Sequence, residues 1–352
     1  MGTDGNGQGV MSRPTIRDVA RAAGVSLATV DRVLNRRAGV RAKTVAKVEE
    51  AMQRLDFTRD ITAANLSKKR RYRLSFLLPD GDNSFMRGLA AAVQATSKHS
   101  SLERAEVTVT MVPAFDGPAL AHALDAIDRS ATDGVAVVAT DAAEVRDAIG
   151  RLIVDGVRVV TLVSDLPGSS RDRFVGIDNV VAGRTAAGLL GRFCGSAPGR
   201  IAVVAGSMLL RDHVERRQGF ETVMREHYPH LTVLPSLEGL DDAERVASLL
   251  GELLAQDGEI AGLYSLGAGN RGVVTALERA GLAGRVRVVA HEVSPHARAA
   301  LHDGIFDAVI NQDAGHEARS AVRILKALID DRPVLEAQEQ IRIDIFMRDN
   351  LP

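Results

Sequence analysis

From Arg73 to Asp330 the chain alternates short, continuously apolar runs with segments of helical period. The apolar runs include RLSFLLP (Arg73 to Pro79), VTVTMVPAF (Val107 to Phe115), GVAVVAT (Gly134 to Thr140), RVVTLV (Arg158 to Val163) and FVGID (Phe174 to Asp178). The pattern continues with RIAVVAG (Arg200 to Gly206), LTVLPS (Leu231 to Ser236), GLYSL (Gly262 to Leu266), RVRVVAHE (Arg285 to Glu292) and DAVINQ (Asp307 to Gln312). Strands apolar throughout and separated by helices belong in parallel sheets covered on both faces. The run is too long for one small sheet and restarts near Asp178, which predicts an α/β body of two doubly wound subdomains. Such sheets bind ligands at the carboxyl ends of their strands. That rule singles out Pro79 to Phe85, Val163 to Asp165, Asp178-Asn179, Gly206 to Arg216, Ser265 to Asn270, His291-Glu292 and Gln312-Asp313.

The first fifth of the chain reads differently. Thr15 with Asp18 three residues on resembles a capping box. Ile16, Val19, Ala20 and Ala23 then recur at helical spacing. Gly24 suits a left-handed helix stop, and Ser26 a good N-cap for the next helix. Val30, Val33 and Leu34 give that helix a buried face, leaving Leu27, Ala28, Thr29, Asp31 and Arg32 turned outward. A third helix is predicted from Lys43 to Leu55, with Val45, Val48, Met52 and Leu55 inward. Three short helices so spaced make either an ordinary helical hairpin with an addition or a helix-turn-helix domain.

Charge separates these alternatives. The net charge of -1 conceals 16 Lys and Arg against 6 Asp and Glu between Arg13 and Arg73. Outside that segment and Asp4, 28 basic residues face 38 acidic ones. A basic head on an acidic body is the electrostatic footprint of nucleic-acid binding by one module. Arg32, Arg36, Arg37 and Arg41 lie on the exposed face, and Lys68-Lys69-Arg70-Arg71 follows. The single cysteine, Cys194, excludes an internal disulfide and a cysteine-based metal cluster and suits a reducing cytoplasm. It reads as a small buried apolar side chain. There is no apolar run of about 18 residues and therefore no expected membrane span. MGTDGNGQGV has neither the basic nor the apolar part of a secretory signal, and is expected to be disordered. Met11 is an alternative start.

The residues at the strand ends are polar and mixed, with Phe85 among them. That set suits a neutral, hydroxyl-rich ligand, with amide, carboxylate and guanidinium partners and one ring face. Enzyme chemistry is less well supported. Gly267 to Gly269 does not fit GxxxxGK[ST], and GxSxG, HExxH and CxxC do not occur. His213, His291, His296, His302 and His316 are scattered. No cofactor is expected.

The segment TIRDVARAAGVSLATVDRVLN, followed by GVRAKTVAKVEEAMQRLDF, resembles the LacI/GalR family of bacterial transcriptional regulators through its pattern DVA-x-x-AGVS-x-x-TV-x-RVLN. The body resembles the periplasmic sugar-binding fold those regulators share, nearest its ribose-binding branch. Together the likeness runs from Pro14 almost to the end. It implies a helix from Ser26 in the major groove, with Leu27 and Ala28 at base-reading positions. Thr29 and Arg32 fall at groove and phosphate positions, with Asn35 just beyond, and Thr15 and Arg41 complete the DNA-facing set. Leu27 and Ala28 offer apolar contact only, such as with a thymine methyl. Asp31 stands where many members carry Ser, and is expected to bond a local donor. ITAANLSKK (Ile61 to Lys69) matches a hinge that folds on DNA, with Leu66 as the wedge that kinks the minor groove. Two heads per homodimer, or per half of a tetramer, imply a near-palindromic operator.

For the body, the resemblance places Asn83 at a hydroxyl-binding position and Phe85 at a ring-stacking one. Arg216 matches an arginine that grips effector hydroxyls, Glu292 an aspartate that binds the sugar, and Gln312 a pocket glutamine. Asp178 and Asn179 match a step at the subdomain crossing that could be functional or structural. There are departures. Met86 replaces a second aromatic, and Val163-Ser164 replaces Asp-Arg, with Asp165 available as a carboxylate. Ser265-Leu266 stands near an expected Asn, with Asn270 as substitute.

The implied plan is an extension at 1–12, a helix-turn-helix domain at 13–58, a hinge at 59–72 and an effector and dimerisation domain at 73–352. Within that domain one subdomain takes about 73–178 and 308–337, the other about 179–307 and 338–352. The implied activity is a cytoplasmic regulator, such as a repressor of a carbohydrate or polyol operon, switched by a sugar-like effector. A non-sugar metabolite as effector, a solute-binding protein and an enzyme are the alternatives.

Overall fold

The computed structural model describes residues 14–34, 39–55, 57, 71–100, 105–256, 259–267 and 269–352. The expected extension, Asn35, Arg36, Arg37, Leu66 and the hinge through Arg70 lie outside the described residues. The chain divides into two compact units, Met1–Arg70 and Arg71–Pro352.

In the first unit, α1 (Ile16–Ala23), α2 (Leu27–Leu34) and α3 (Ala42–Arg54) meet the expected order. The Asp18 carboxylate accepts the Thr15 backbone N–H at 2.9 Å and its hydroxyl at 2.7 Å, so the acidic half of the capping box forms. Gly24 adopts φ 65°, a left-handed turn without cost to glycine. Its N–H and that of Val25 return to the carbonyls of Arg21 and Ala20. Ser26 Oγ accepts the Thr29 N–H at 3.1 Å and so caps α2. Val19, Val30 and Val48, one from each helix, are fully buried where the three meet.

The second unit holds two sheets. One contains β1 (Tyr72–Asp80), β2 (Ala105–Pro113), β3 (Gly134–Val137), β4 (Arg158–Leu162) and β5 (Arg173–Val175), all parallel, in the order β2-β1-β3-β4-β5. Its helices are α4 (Ser84–Ser100), α5 (Gly117–Asp125) and α6 (Ala143–Val154). The other sheet contains β6 (Gly199–Ala205), β7 (Leu231–Glu238), β8 (Ile260–Ser265), β9 (Arg287–His291), β10 (Ala308–Gln312) and β11 (Ile343–Phe346). Its order is β11-β10-β9-β8-β6-β7, with only β11 antiparallel. Its helices are α7 (Asn179–Cys194), α8 (Arg211–His227), α9 (Ala243–Gln256), α10 (Asn270–Arg279) and α11 (Pro295–His302). Strands such as β3 are buried along their whole length, the burial that a continuously apolar sequence demands.

Two boundaries of that plan differ from expectation. Tyr72 is a buried strand residue paired with Ala105, so the hinge cannot extend to residue 72. Strand β10 pairs with β9 in the second sheet, although its sequence was assigned to the first subdomain. The chain crosses back after Gln312, and α12 (Ala314–Ile329) packs on α4 and on the first sheet. The second sheet also gains β11, whose Val309↔Phe346 pairing closes its edge. The short α13 (Glu336–Glu339) precedes it. Cys194 is half-buried with Sγ 3.7 Å from the Ala261 carbonyl, and burial pushes its thiol up to about 11. No helix among the described residues is long and apolar enough to cross a membrane.

Candidate functional site

Both sheets reverse strand order between their first and third strands, at β1/β3 and β6/β8. Loops leaving those strands on opposite sides open a crevice there. The carboxyl ends of the two sheets border one cleft of about 640 Å3, mouth included.

Arg216 is the centre of its polar wall. The side chain is 1% exposed, a burial that a guanidinium tolerates only with fixed partners. Nε donates to Asn179 Oδ1 at 2.8 Å, and Nη1 to the Leu266 carbonyl at 2.6 Å. Nη2 has no hydrogen-bond partner and lies 3.8 Å from Glu292 Oε1 and 3.9 Å from Asp212 Oδ2. The sequence supplies this geometry through two glycines. A Cβ on Gly183 would fall 1.9 Å from the Arg216 carbonyl oxygen, and one on Gly219 2.1 Å from that of Val180. Only bare backbones let α7 and α8 approach so closely. Of the Asp178-Asn179 step, Asp178 accepts the Val181 N–H and caps α7, while Asn179 holds the arginine.

Around Arg216 stand three carboxylates. Glu292 leaves β9 at φ 68°, a conformation L residues rarely hold without a reason in the surrounding structure. Its Oε1 accepts Gln312 Nε2 at 2.8 Å. Burial pushes its carboxyl up to about 7, against the opposing pull of Arg216 and Gln312. Asp212, on the first turn of α8, is 4% exposed, and its Oδ1 has no partner. Asp241 follows β7 at φ 60°. Its Oδ2 accepts Asn83 Nδ2 at 3.1 Å, its Oδ1 is buried without a partner, and burial raises its pKa. Behind them Tyr264 stacks on Phe220 at 4.5 Å and bonds His291 Nε2 at 2.8 Å. Burial holds the His291 imidazole well below its usual range, hence neutral. Glu317 on α12 is wholly buried with both oxygens unpartnered, and burial, then Glu292, raise its pKa far above the carboxylate range.

The expected effector set is partly assembled. Asn83, Phe85, Met86, Arg216, Glu292 and Gln312 line the cleft, and Asn270 lines its mouth. Asn83 is already engaged: Oδ1 accepts the N–H groups of Phe85 and Met86, and Nδ2 reaches Asp241. Three residues lie elsewhere. Asp165 ion-pairs with Arg171 and accepts Thr161 Oγ1 at 2.6 Å and the Leu166 N–H at 2.7 Å, so its oxygens bind its own loop. Ser164 is buried behind Val163, which alone of that stretch faces the cleft. Ser265 donates to Asn270 Oδ1, and Asn270 Nδ2 to the His291 carbonyl, a chain that braces the loop ends. Asp212 and His213 lay inside a predicted strand-end stretch without being singled out. Asp241 was missed because the strand before it extends two residues past its expected end at Ser236.

In the first unit three of the five expected outward positions of α2 are exposed, while Thr29 and Asp31 are half-buried. Leu27 is 46% exposed, and Ala28, Arg32 and Arg41 are also exposed. Ser26 and Thr29 join hydroxyl to hydroxyl at 2.9 Å on the same edge of α2.

Comparison with known proteins bears on each unit separately. Residues 15–60 match the model of the bacterial regulatory proteins of the lacI family, and residues 74–333 that of the periplasmic binding protein domain. The HTH-type transcriptional regulator DegA of Bacillus subtilis is 39% identical over 82 residues, 23% of this chain and 24% of that protein. Catabolite control protein A of Staphylococcus aureus is 39% identical over 80 residues, again 24% of its length. The chain thus matches about a quarter of the length of these relatives. The body shares its fold with GanP, a glucose-galactose binding protein from Geobacillus stearothermophilus, at TM-score 0.72 and 18% identity, covering 80% of this chain and 99% of that one. A solute binding protein from Burkholderia graminis in complex with D-arabinose gives TM-score 0.73 at 20% identity, covering 79% and 96%. Through residues 74–333 the chain belongs to the periplasmic binding protein domain family, and its head, residues 15–60, matches the lacI family of bacterial regulatory proteins.

Proposed function

We propose that this protein is a sequence-specific DNA-binding transcriptional regulator controlled by a small effector held between its two body subdomains. One observation carries the reading: an exposed helix-turn-helix edge and a cleft lined by unpartnered buried polar atoms occur in one chain. Buried polar groups without partners cost free energy, and a ligand that pairs them restores it. DNA contact falls to Thr15, Ser26, Leu27, Ala28, Thr29, Arg32 and Arg41, joined by Asn35 and Leu66. The effector meets Arg216, Glu292, Gln312, Asp212 and Asp241, with Phe85 and Met86 against its body. The sugars named with the solute-binding neighbours support an effector of monosaccharide size. The regulator works in the cytoplasm as a homodimer on a near-palindromic operator, acts as a repressor, and controls genes for carbohydrate or polyol use.

The mechanism needs only a two-state equilibrium. An effector that binds one arrangement of the subdomains better than another shifts their populations, and DNA affinity follows by linkage. The test is selection of binding sites from random DNA, then fluorescence anisotropy over a salt series. Two half-sites related by a dyad and a steep fall of affinity with salt are expected, because phosphate contacts release counterions. No enriched site, or a flat salt response, removes the DNA reading.

A further inference from the structure

The two walls of the cleft differ in kind. The second subdomain presents Asp212 Oδ1, Asp241 Oδ1 and Gln312 Oε1, three buried acceptors without partners, beside one unpartnered donor, Arg216 Nη2. The first subdomain presents hydrocarbon: Leu78, Met86, Val112, Phe115, Val138 and Val163. Its polar side chains on the cleft are Asn83, whose amide is engaged at both ends, and Thr140. A sugar hydroxylated on every side would therefore satisfy one wall and bury hydroxyls unpaired against the other, a costly placement.

We infer that the effector is one-sided: a donor-rich polar head, bearing hydroxyls or an ammonium group, faces Asp212, Asp241, Gln312 and Arg216, and a deoxygenated or alkyl flank lies on the first subdomain. This inference rests on the cleft being the effector site. The head must offer more donors than acceptors, because three open acceptors face one open donor. The acid surplus of Asp212, Asp241 and Glu292 over Arg216 admits a cationic head as readily as a hydroxylated one. The flank is placed by the hydrophobic effect, which rewards removing methyl and methylene groups from water.

Calorimetric titration of the full-length protein with matched pairs tests this. The pairs are L-fucose with L-galactose, L-rhamnose with L-mannose, and N-butyl-1-deoxynojirimycin with 1-deoxynojirimycin. The first two vary the flank of a neutral head, the third that of a cationic head. The deoxygenated or alkylated member should bind more tightly, by about fourfold per methyl group placed on the wall. Val138→Thr should shrink that preference, and Val112→Thr serves if the first variant does not fold. A hydroxylated member that binds equally or better overturns the inference, and so does a panel in which neither head binds. Arg216→Ala separates this from failure of the cleft itself. A reversed preference in the parent protein, with binding abolished by Arg216→Ala, sinks the one-sided ligand alone. Binding untouched by Arg216→Ala moves the site, and both claims fall.

Discussion

The two subdomains share a strand order and bring opposite chemistry to the cleft between them. In the first sheet the strands around the switch point end in Asn83, Phe85 and Thr140, and the surfaces behind these are apolar. In the second the equivalent ends carry Arg216 and Glu292, both buried, and the half-buried Asp241. Topology therefore decides where a doubly wound unit can bind a ligand, and side chains alone decide what it can bind. The asymmetry extends to stored cost. Left-handed backbone occurs on both walls, at Phe115 and Val163 on the first and at Asp241 and Glu292 on the second, but the unpartnered oxygens, on Asp212, Asp241 and Gln312, all belong to the second.

The sharpest way to break this comparison is Arg216→Ala. Removing a buried cation strands Asp212 and Glu292 and frees Asn179 and the Leu266 carbonyl, at an expected cost of about 3–5 kcal/mol. Chemical denaturation should register that loss, and ligand response should vanish while isolated-head DNA affinity persists. A loss under about 1 kcal/mol would mean that the second wall is not organised on this side chain.

Next in size is a pH effect. Burial raises Glu292 from its ordinary 4.5 to about 7, so the folded state holds this proton more tightly than the unfolded chain. Its contribution is complete below pH 4.5 and is lost as pH rises through 7, on the order of 3 kcal/mol across that window. Asp241 and Glu317 shift in the same direction and add to the same slope. Urea melts at about pH 5 and 8 should show the unliganded protein less stable at the higher pH, and Glu292→Gln should flatten the difference. Equal stability at both values would mean that the carboxyl reaches water.

Much of this architecture was legible in the sequence, and the remainder fails for physical reasons. Periodicity placed the three head helices, and continuous apolar runs placed ten strands, because local pattern dictates local burial. Strand β11 escaped because IDIF is four residues at an edge, half-exposed, with no room to display a period. The crossing at Gln312 escaped because a buried strand reads identically in either sheet. In the cleft, the strand-end rule covered the stretches that hold Arg216, Glu292 and Gln312, and the family resemblance singled these three out; all three line the cleft. Asp165 looked equally suitable, and only distance distinguishes it: its oxygens face Arg171 and Thr161, not the ligand space. Asn179 as the clamp of Arg216 joins positions 37 residues apart, which no local rule links.

Asp165→Asn sharpens the comparison from the first wall. Burial works against this carboxylate, but the bonds from Arg171 and Thr161 outweigh it and keep its pKa low. Losing that charge should cost about 2 kcal/mol of stability, the range for hydrogen bonds to ionised groups. Ligand affinity should stay within about twofold of the parent, since Asp165 does not face the cleft. A tenfold weaker titration would return it to the binding set.

The smallest expected effect comes from Asn83→Ala, and it decides how one-sided the cleft is. Asn83 caps α4 through Oδ1 and bridges the subdomains through its bond to Asp241. Loss of the cap should cost about 1 kcal/mol. Loss of the bridge removes one neutral donor from a carboxylate already short of partners, so the arrangement of the subdomains that this bond joins weakens. A ligand that contacts only the second wall would then lose about threefold to tenfold in affinity, through closure alone. A ligand that exchanges Asp241 for its own hydroxyl at Asn83 would lose far more, because its buried hydroxyl would be left without a partner. Titration of the variant with any effector in hand distinguishes the two, since the modest loss keeps the first wall apolar and a hundredfold loss makes Asn83 a binding residue.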